Sequence, residues 1–370
     1  MTTGKAAHLE SPLRCGIVGH GKVAELYARL LEDVPQAVAV AVCGRDLSRA
    51  KTFAELHGLQ AFYDIAAMVE SERISVVIVA TPHPSHADVA VAAMRAGTHV
   101  LVEKPMATTV ADCDRMIAAA SETGVTLGVV SQRRFYEPVQ RLKQVIESGG
   151  IGRPALATLT LLGWRDSAYY DSDPWRGTWS GEGGGVLINQ AVHHLDLLQW
   201  LFGPIDEVFG YWGNINHPEI EVDDTAVAVL RGPDGRMGSI VVSNSQRPGL
   251  FARIHVHGDN GASVGVQTDG GQMFIAGVSE IVDPPFTDLW TIPGEEHLLA
   301  DLQERDRAAF GMQDPILHYH GLQLEDFLNA VLEDRDPLVT GVDGRSAVEL
   351  FEAIYRASAT GIAQRTSDLP

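Results

Sequence analysis

Leu13-Arg14-Cys15-Gly16-Ile17-Val18-Gly19-His20-Gly21-Lys22-Val23-Ala24 runs from a short apolar stretch directly into a glycine turn. The turn has the form GxGxxA and stands between a predicted strand, 13–18, and a predicted helix, 23–32. In that setting each position has a task. Gly19 permits the tight turn, Gly21 lets a pyrophosphate approach the backbone, and Ala24 lets the helix pack closely on the sheet. The free N–H groups and dipole of the helix N-terminus favour phosphate. The segment is read as a dinucleotide site, with Gly19, His20, Gly21, Lys22, Val23 and Ala24 at the cofactor.

The pattern repeats downstream. Apolar runs at 37–43, 75–80, 98–102 and 125–130 alternate with helical stretches at 47–57, 86–96 and 110–122. Strand–helix–strand units of this length predict a parallel, doubly wound Rossmann sheet over 13–133, preceded by a flexible tail, 1–12. After Gly149-Gly150 the rhythm changes. Strands at 155–164, 207–212, 225–230, 238–244 and 253–258 predict a large, mostly antiparallel open sheet. A helix at 186–201 and two closing helices, 320–332 and 345–360, complete a C-terminal α+β domain over 134–370. The overall class is α/β.

The end of the second strand reads out the cofactor. An NAD site usually places an acid there for the ribose hydroxyls. Here stand Cys43-Gly44-Arg45, with Arg49 close behind. Arginine suits a 2′-phosphate by charge and fork geometry. Arg45 could instead stack on adenine or be a solvated charge. NADP(H) is favoured, and NAD(H) remains compatible.

A net charge of -20 argues against nucleic acid as the main partner. No run approaches the roughly eighteen apolar residues of a membrane span. Three cysteines without a CxxC pair, and an N-terminal stretch without an apolar run, suit a cytoplasmic protein.

Four further stretches carry a family resemblance. Thr81-Pro82-His83-Pro84-Ser85-His86 follows one strand and Glu103-Lys104-Pro105 another. Gly183-Gly184-Gly185-Val186-Leu187-Ile188-Asn189-Gln190-Ala191-Val192-His193-His194-Leu195-Asp196 lies further on, and Pro337-Leu338-Val339-Thr340-Gly341 precedes the last helix. In this order they resemble the glucose–fructose oxidoreductase / inositol dehydrogenase / rhizopine-catabolism family. The stretch 45–51 is also similar to its NADP-using dihydrodiol dehydrogenase branch. The resemblance implies hydride transfer between nicotinamide and a carbinol carbon of a sugar, sugar derivative or cyclitol. It implies Lys104 at the nicotinamide and reacting oxygen, His193 as the catalytic histidine, and a homodimer or homotetramer built on the C-terminal sheet. Thr81, Pro82, His83, His86 and Glu103 fall at the cofactor by the same resemblance. Many members carry Asp where this chain has Asn189. Asparagine cannot hold charge, so Lys104 and His193 are left with the acid–base work while Asn189 binds a hydroxyl.

The residues themselves support such a site. Histidine titrates near neutrality, and a lysine beside a cationic ring can have a lowered pKa. On one helix, positions 189 and 193 share a face. Gln132, Arg133 and Arg134 follow the 125–130 strand at the crevice rim, with Gln132 expected on cofactor and Arg134 on substrate. Between Trp164 and Trp179, Tyr170, Trp175 and Arg176 suit a sugar ring, although the same aromatics could simply pin a loop or an oligomer contact. His193 and His194 point about 100° apart on a helix, so no metal site is expected. His318 and His320 flank a helix start, where they could cap, pack or touch substrate. Two other functions fit the same motifs: an NAD-dependent glycoside-cleaving enzyme with transient oxidation, and a non-catalytic NADP sensor.

Overall fold

A computed structural model describes residues 11–270, 284–311 and 314–369. The expected tail lies outside them except for Ser11 and Pro12, both exposed. Strands β1 (Leu13–Val18), β2 (Ala37–Cys43), β3 (Gln60–Phe62), β4 (Val76–Val79), β5 (His99–Val102) and β6 (Leu127–Val129) form one parallel sheet in the order β3-β2-β1-β4-β5-β6. The strands β1, β4, β5 and β6 are almost wholly buried on both faces, which is why they read as continuous apolar runs. Helices α1 (Lys22–Asp33), α2 (Leu47–His57), α3 (Ile65–Glu72), α4 (His86–Arg95) and α5 (Val110–Thr123) connect them. The strand order reverses between β1 and β4, where open sheets of this kind bind their ligands.

A helix α6 (Glu137–Glu147) leads to β7 (Pro154–Leu162), a short α7 (Ser167–Asp171), and then α8 (Val186–Asn189) and α9 (Val192–Phe202). The expected single helix over 186–201 is thus two helices. The start of α8 is fixed by a tertiary contact. Asp223 accepts from Gly185 N at 2.7 Å and from Leu187 N at 3.0 Å, capping α8 from outside. A Cβ on Gly185 would lie 1.8 Å from the Asp223 carbonyl oxygen, so only glycine allows this approach. Asn189 and His193 therefore belong to different helices, not to one shared face.

Strands β8 (Glu207–Gly213), β9 (Thr225–Arg231), β10 (Met237–Ser243), β11 (Phe251–Gly258), β12 (Ser263–Gly270) and β13 (Phe286–Trp290) build the second sheet with β7. A two-residue β14 (Gln364–Arg365) closes one edge, giving the order β13-β12-β11-β7-β10-β9-β8-β14. Only the β7–β10 pair is parallel. Along β9, Ala226, Ala228 and Leu230 point into the core while Val227 and Val229 are exposed. With Tyr211 and Met237 they leave an apolar outer face.

The remaining helices are α10 (Leu299–Phe310), α11 (Pro315–Glu333) and α12 (Gly341–Thr360). α12 packs between α5 and the second sheet. α11 instead returns to the first: Leu324, Phe327 and Leu328 are buried with Leu13, Ile17 and Tyr27. A boundary at 133/134 divides the sequence but not the first core, which borrows this helix from the C-terminal half.

Candidate active site

The ends of β1, β4 and β5 lie side by side, tied by Ala80 N to Val18 O at 2.9 Å and Glu103 N to Val79 O at 3.0 Å. The turn after β1 forms as its glycines require. Gly19 has φ +120°, and a Cβ there would meet the Ala80 carbonyl oxygen at 2.4 Å. Gly21 is the N-cap of α1, receives no side-chain cap, and has open space beside its Cα. The α1 N-terminus is therefore an uncapped cradle of N–H groups with room for a phosphate, and the residues present fit a dinucleotide.

At the end of β2, a Cβ on Gly44 would come within 2.6 Å of the His20 ring, so His20 lies over the strand end. Arg45 and Arg49 are exposed. The nearby acid, Asp46, caps α2 by accepting from Ser48 N and Arg49 N at 3.0 and 3.1 Å. One oxygen of its carboxylate, Oδ1, is thereby engaged by the backbone.

Several motif residues turn out to hold the frame. His86 is fully buried, with Nδ1 on the Pro105 carbonyl at 2.8 Å and Nε2 on the Thr81 carbonyl at 2.7 Å. The expected cofactor contact is corrected: the ring clamps the loop after β4 to the loop after β5. Glu103 is also enclosed, accepting from Tyr27 OH at 2.7 Å and from Lys104 N at 3.1 Å. It orients the lysine's backbone. His83 is buried with Nδ1 on the Glu182 carbonyl at 3.0 Å and its ring 5.4 Å from Trp175.

Lys104 Nζ donates to both oxygens of Asn189, the carbonyl at 2.8 Å and Oδ1 at 3.1 Å. Desolvation, opposed by Glu103 and reinforced by Arg133 and Arg176, lowers the ammonium pKa to about 8. Asn189 Nδ2 donates to Tyr169 OH at 2.9 Å and to Glu182 Oε1. His193 borders a small internal void together with Lys104, Met106, Ser131 and Asp196. Burial, then Arg133 and Lys104, holds its pKa well below the ordinary value, and its buried Nδ1 has no partner. The Gln132 Oε1 is likewise buried without a partner. Buried polar atoms normally have partners, so both mark places where a bound group could supply one.

Arg134 is not at the substrate. It is 3% exposed and binds Asp196 through two nitrogens at 2.6 and 2.8 Å, with Asp343 at 3.1 Å. Its neighbour Arg133 is the cation that acts on both Lys104 and His193. Tyr170 packs in a small core with Tyr169, Ile220 and Val222. Arg176 lies over the rings of Tyr169 and Trp175 at 4.3 and 4.5 Å and donates to Tyr169 OH at 2.5 Å. His194 is fully buried, with Nε2 on Thr268 Oγ1 at 2.8 Å. His320, from α11, binds the Ile316 carbonyl at 2.9 Å and is electrostatically coupled to Glu103, Arg133 and Lys104.

Sequence reasoning missed Glu182. It is 1% exposed, accepts from Gly177 N at 2.7 Å as well as from Asn189, and burial raises its carboxyl pKa to about 7. The available signal was an isolated acid directly before the Gly183-Gly184-Gly185 run.

Residues 13–131 match a family described as an oxidoreductase family with an NAD-binding Rossmann fold, and residues 139–264 match the GFO/IDH/MocA C-terminal domain. The chain belongs to the GFO/IDH/MocA oxidoreductase family. A similar relative is the myo-inositol 2-dehydrogenase of Thermotoga maritima, 28% identical over 93% of this chain and 96% of that protein. The trans-1,2-dihydrobenzene-1,2-diol dehydrogenase of Mus musculus is 31% identical over 63% of this chain and 69% of its own. Among solved structures, the WlbA dehydrogenase of Bordetella pertussis, in complex with NADH and UDP-GlcNAcA, is 30% identical with a TM-score of 0.79, covering 97% of this chain and 99% of that one. Among the described residues no helix is long and apolar enough to cross a membrane.

Proposed function

We propose that this family member interconverts a ring secondary alcohol and its ketone on a sugar, sugar derivative or cyclitol. The observation that carries the reading is Lys104: a half-buried ammonium at the end of β5, beside the dinucleotide turn and next to His193, on whose imidazole its charge acts. Bound nicotinamide would accept or supply the hydride. Gly19, His20, Gly21 and the α1 N-terminus would hold its phosphates. Lys104 takes the hydroxyl proton in oxidation and returns it in reduction, because its lowered pKa makes both forms available near neutral pH. His193 is neutral there and hydrogen-bonds the substrate. The acid–base work shared between two residues in the sequence reading thus falls mainly to the lysine. Names of similar proteins that act on inositol or bind a UDP-sugar acid support a polyhydroxylated ring as substrate.

A substrate deuterated at the reacting carbon should deliver the label to nicotinamide C4 in one turnover. Release of an aglycone with solvent exchange of the label, and no net change in cofactor, would replace this reading with the eliminating, glycoside-cleaving one.

The finer cofactor choice is NADP(H), supported by Arg45 and Arg49 and by an Asp46 whose Oδ1 caps α2. Arg45→Ala should weaken NADP(H) by about tenfold or more relative to NAD(H), the scale of a lost charged hydrogen bond. Equal losses for both dinucleotides in a binding titration would leave only adenine stacking, and a clear NAD(H) preference in the parent would overturn the choice.

A further inference from the structure

Asn189 meets Lys104 with an uncharged side chain, yet the structure places a carboxylate directly behind it. Glu182 is buried and lies on the far side of the Asn189 carboxamide from Lys104. The amide can be oriented only one way. Its Oδ1 accepts from the ammonium, and its Nδ2 must then face acceptors, which are Glu182 Oε1 and Tyr169 OH. Its dipole points the oxygen at the cation and the N–H groups at the carboxylate. The second Glu182 oxygen is fixed by Gly177 N at 2.7 Å, so the carboxylate cannot swing away.

We propose that Glu182 is the positioning carboxylate of this site, acting through the Asn189 carboxamide to hold Lys104 Nζ in place and to stabilise its charged form. The proposal rests on the reading of Lys104 as the proton-carrying group. It gives this chain a carboxylate–amide–lysine relay in place of a directly paired acid. The relay is electrostatically balanced by its surroundings. Lys104 faces Glu103 from its own strand end, Arg133 from the turn after β6, and Arg176 from the loop after α7. Glu182 faces Lys104 and Arg176. The nearby imidazoles of His83, His86, His193 and His320 all have pKa values lowered by burial and add no positive charge near neutral pH. Glu103 and Glu182 are the carboxylates that favour the charged lysine, so removing Glu182 tips the field against the ammonium.

The test reads Lys104 directly and needs neither cofactor nor substrate. Trace acetylation by acetic anhydride is followed against pH, with the Lys104 peptide quantified by mass spectrometry. In the parent protein the labelling midpoint should fall near 8, the value set by desolvation. In Glu182→Gln the midpoint should drop by about one pH unit, because an opposite charge close by has been neutralised. In the double variant Glu182→Gln/Asn189→Asp the charge is moved next to the lysine, and the midpoint should return to the parent value or above it. An unchanged midpoint in Glu182→Gln overturns the proposal. If that variant does not fold, a double variant whose midpoint stays below the parent's overturns it instead. A negative result here leaves the dehydrogenase reading standing, because no turnover enters the measurement. Conversely, failure to find deuterium at nicotinamide C4 would leave the labelling midpoints unaffected.

Discussion

Replacing Lys104 with alanine lowers turnover by about a hundredfold or more, the usual cost of losing a general acid–base group. Dinucleotide affinity changes little, because the phosphate cradle belongs to β1 and α1 and holds its shape through Gly19 and Ala80. The pH dependence carries the sign. With the ammonium pKa lowered to about 8, alcohol oxidation needs the neutral amine and should rise as pH increases through that value. Ketone reduction needs the protonated form and should fall over the same range. A Lys104→Arg variant keeps the charge but cannot deprotonate, so oxidation stays low across the whole range. Initial rates in both directions, with dinucleotide binding followed by fluorescence, check each part. Near-normal turnover in Lys104→Ala would remove the lysine from the chemistry.

The sequence made the first sheet legible because its constraints are local. A strand, a turn needing a positive φ at Gly19, and a helix packed through Ala24 must follow one another within twelve residues. The lysine after β5 and the histidine after the glycine run were legible through motifs. The cap that fixes the start of α8 was not, because Asp223 supplies it from a distant loop. Nor could sequence separate Arg133 from Arg134. The two are adjacent and identical, and only the tertiary structure shows that Arg134 is the one held by Asp196 on α9 and Asp343 on α12. Glu182 was invisible for a similar reason. An acid before three glycines becomes part of the site only when the loop folds its side chain beneath Asn189. The return of α11 to the first core followed the same pattern, since its amphipathic face does not say which sheet it will cover.

Asp196→Ala should cost about 3–5 kcal/mol of folding stability, the scale of breaking a buried ion pair from one side. The pair joins the turn after β6 to α9, and Asp343 at the start of α12 shares the same guanidinium. Arg134 is 3% exposed, and burial works against its charge until Asp196 and Asp343 more than compensate. Asp196 Oδ2 also accepts from Ser131 Oγ at 2.5 Å. Truncation therefore leaves a buried cation with Asp343 at 3.1 Å, the Leu338 carbonyl at 3.2 Å and the face of the Trp200 ring at 5.1 Å. Asp196→Asn, which keeps the shape and some hydrogen bonding, should lose less. The double variant Arg134→Met/Asp196→Leu should be more stable than Asp196→Ala alone, because it removes both charges from the low-dielectric interior together. Urea unfolding of the parent and the three variants measures the series. A loss below about 1 kcal/mol in Asp196→Ala would show that water reaches the pair and that this junction is held by packing instead.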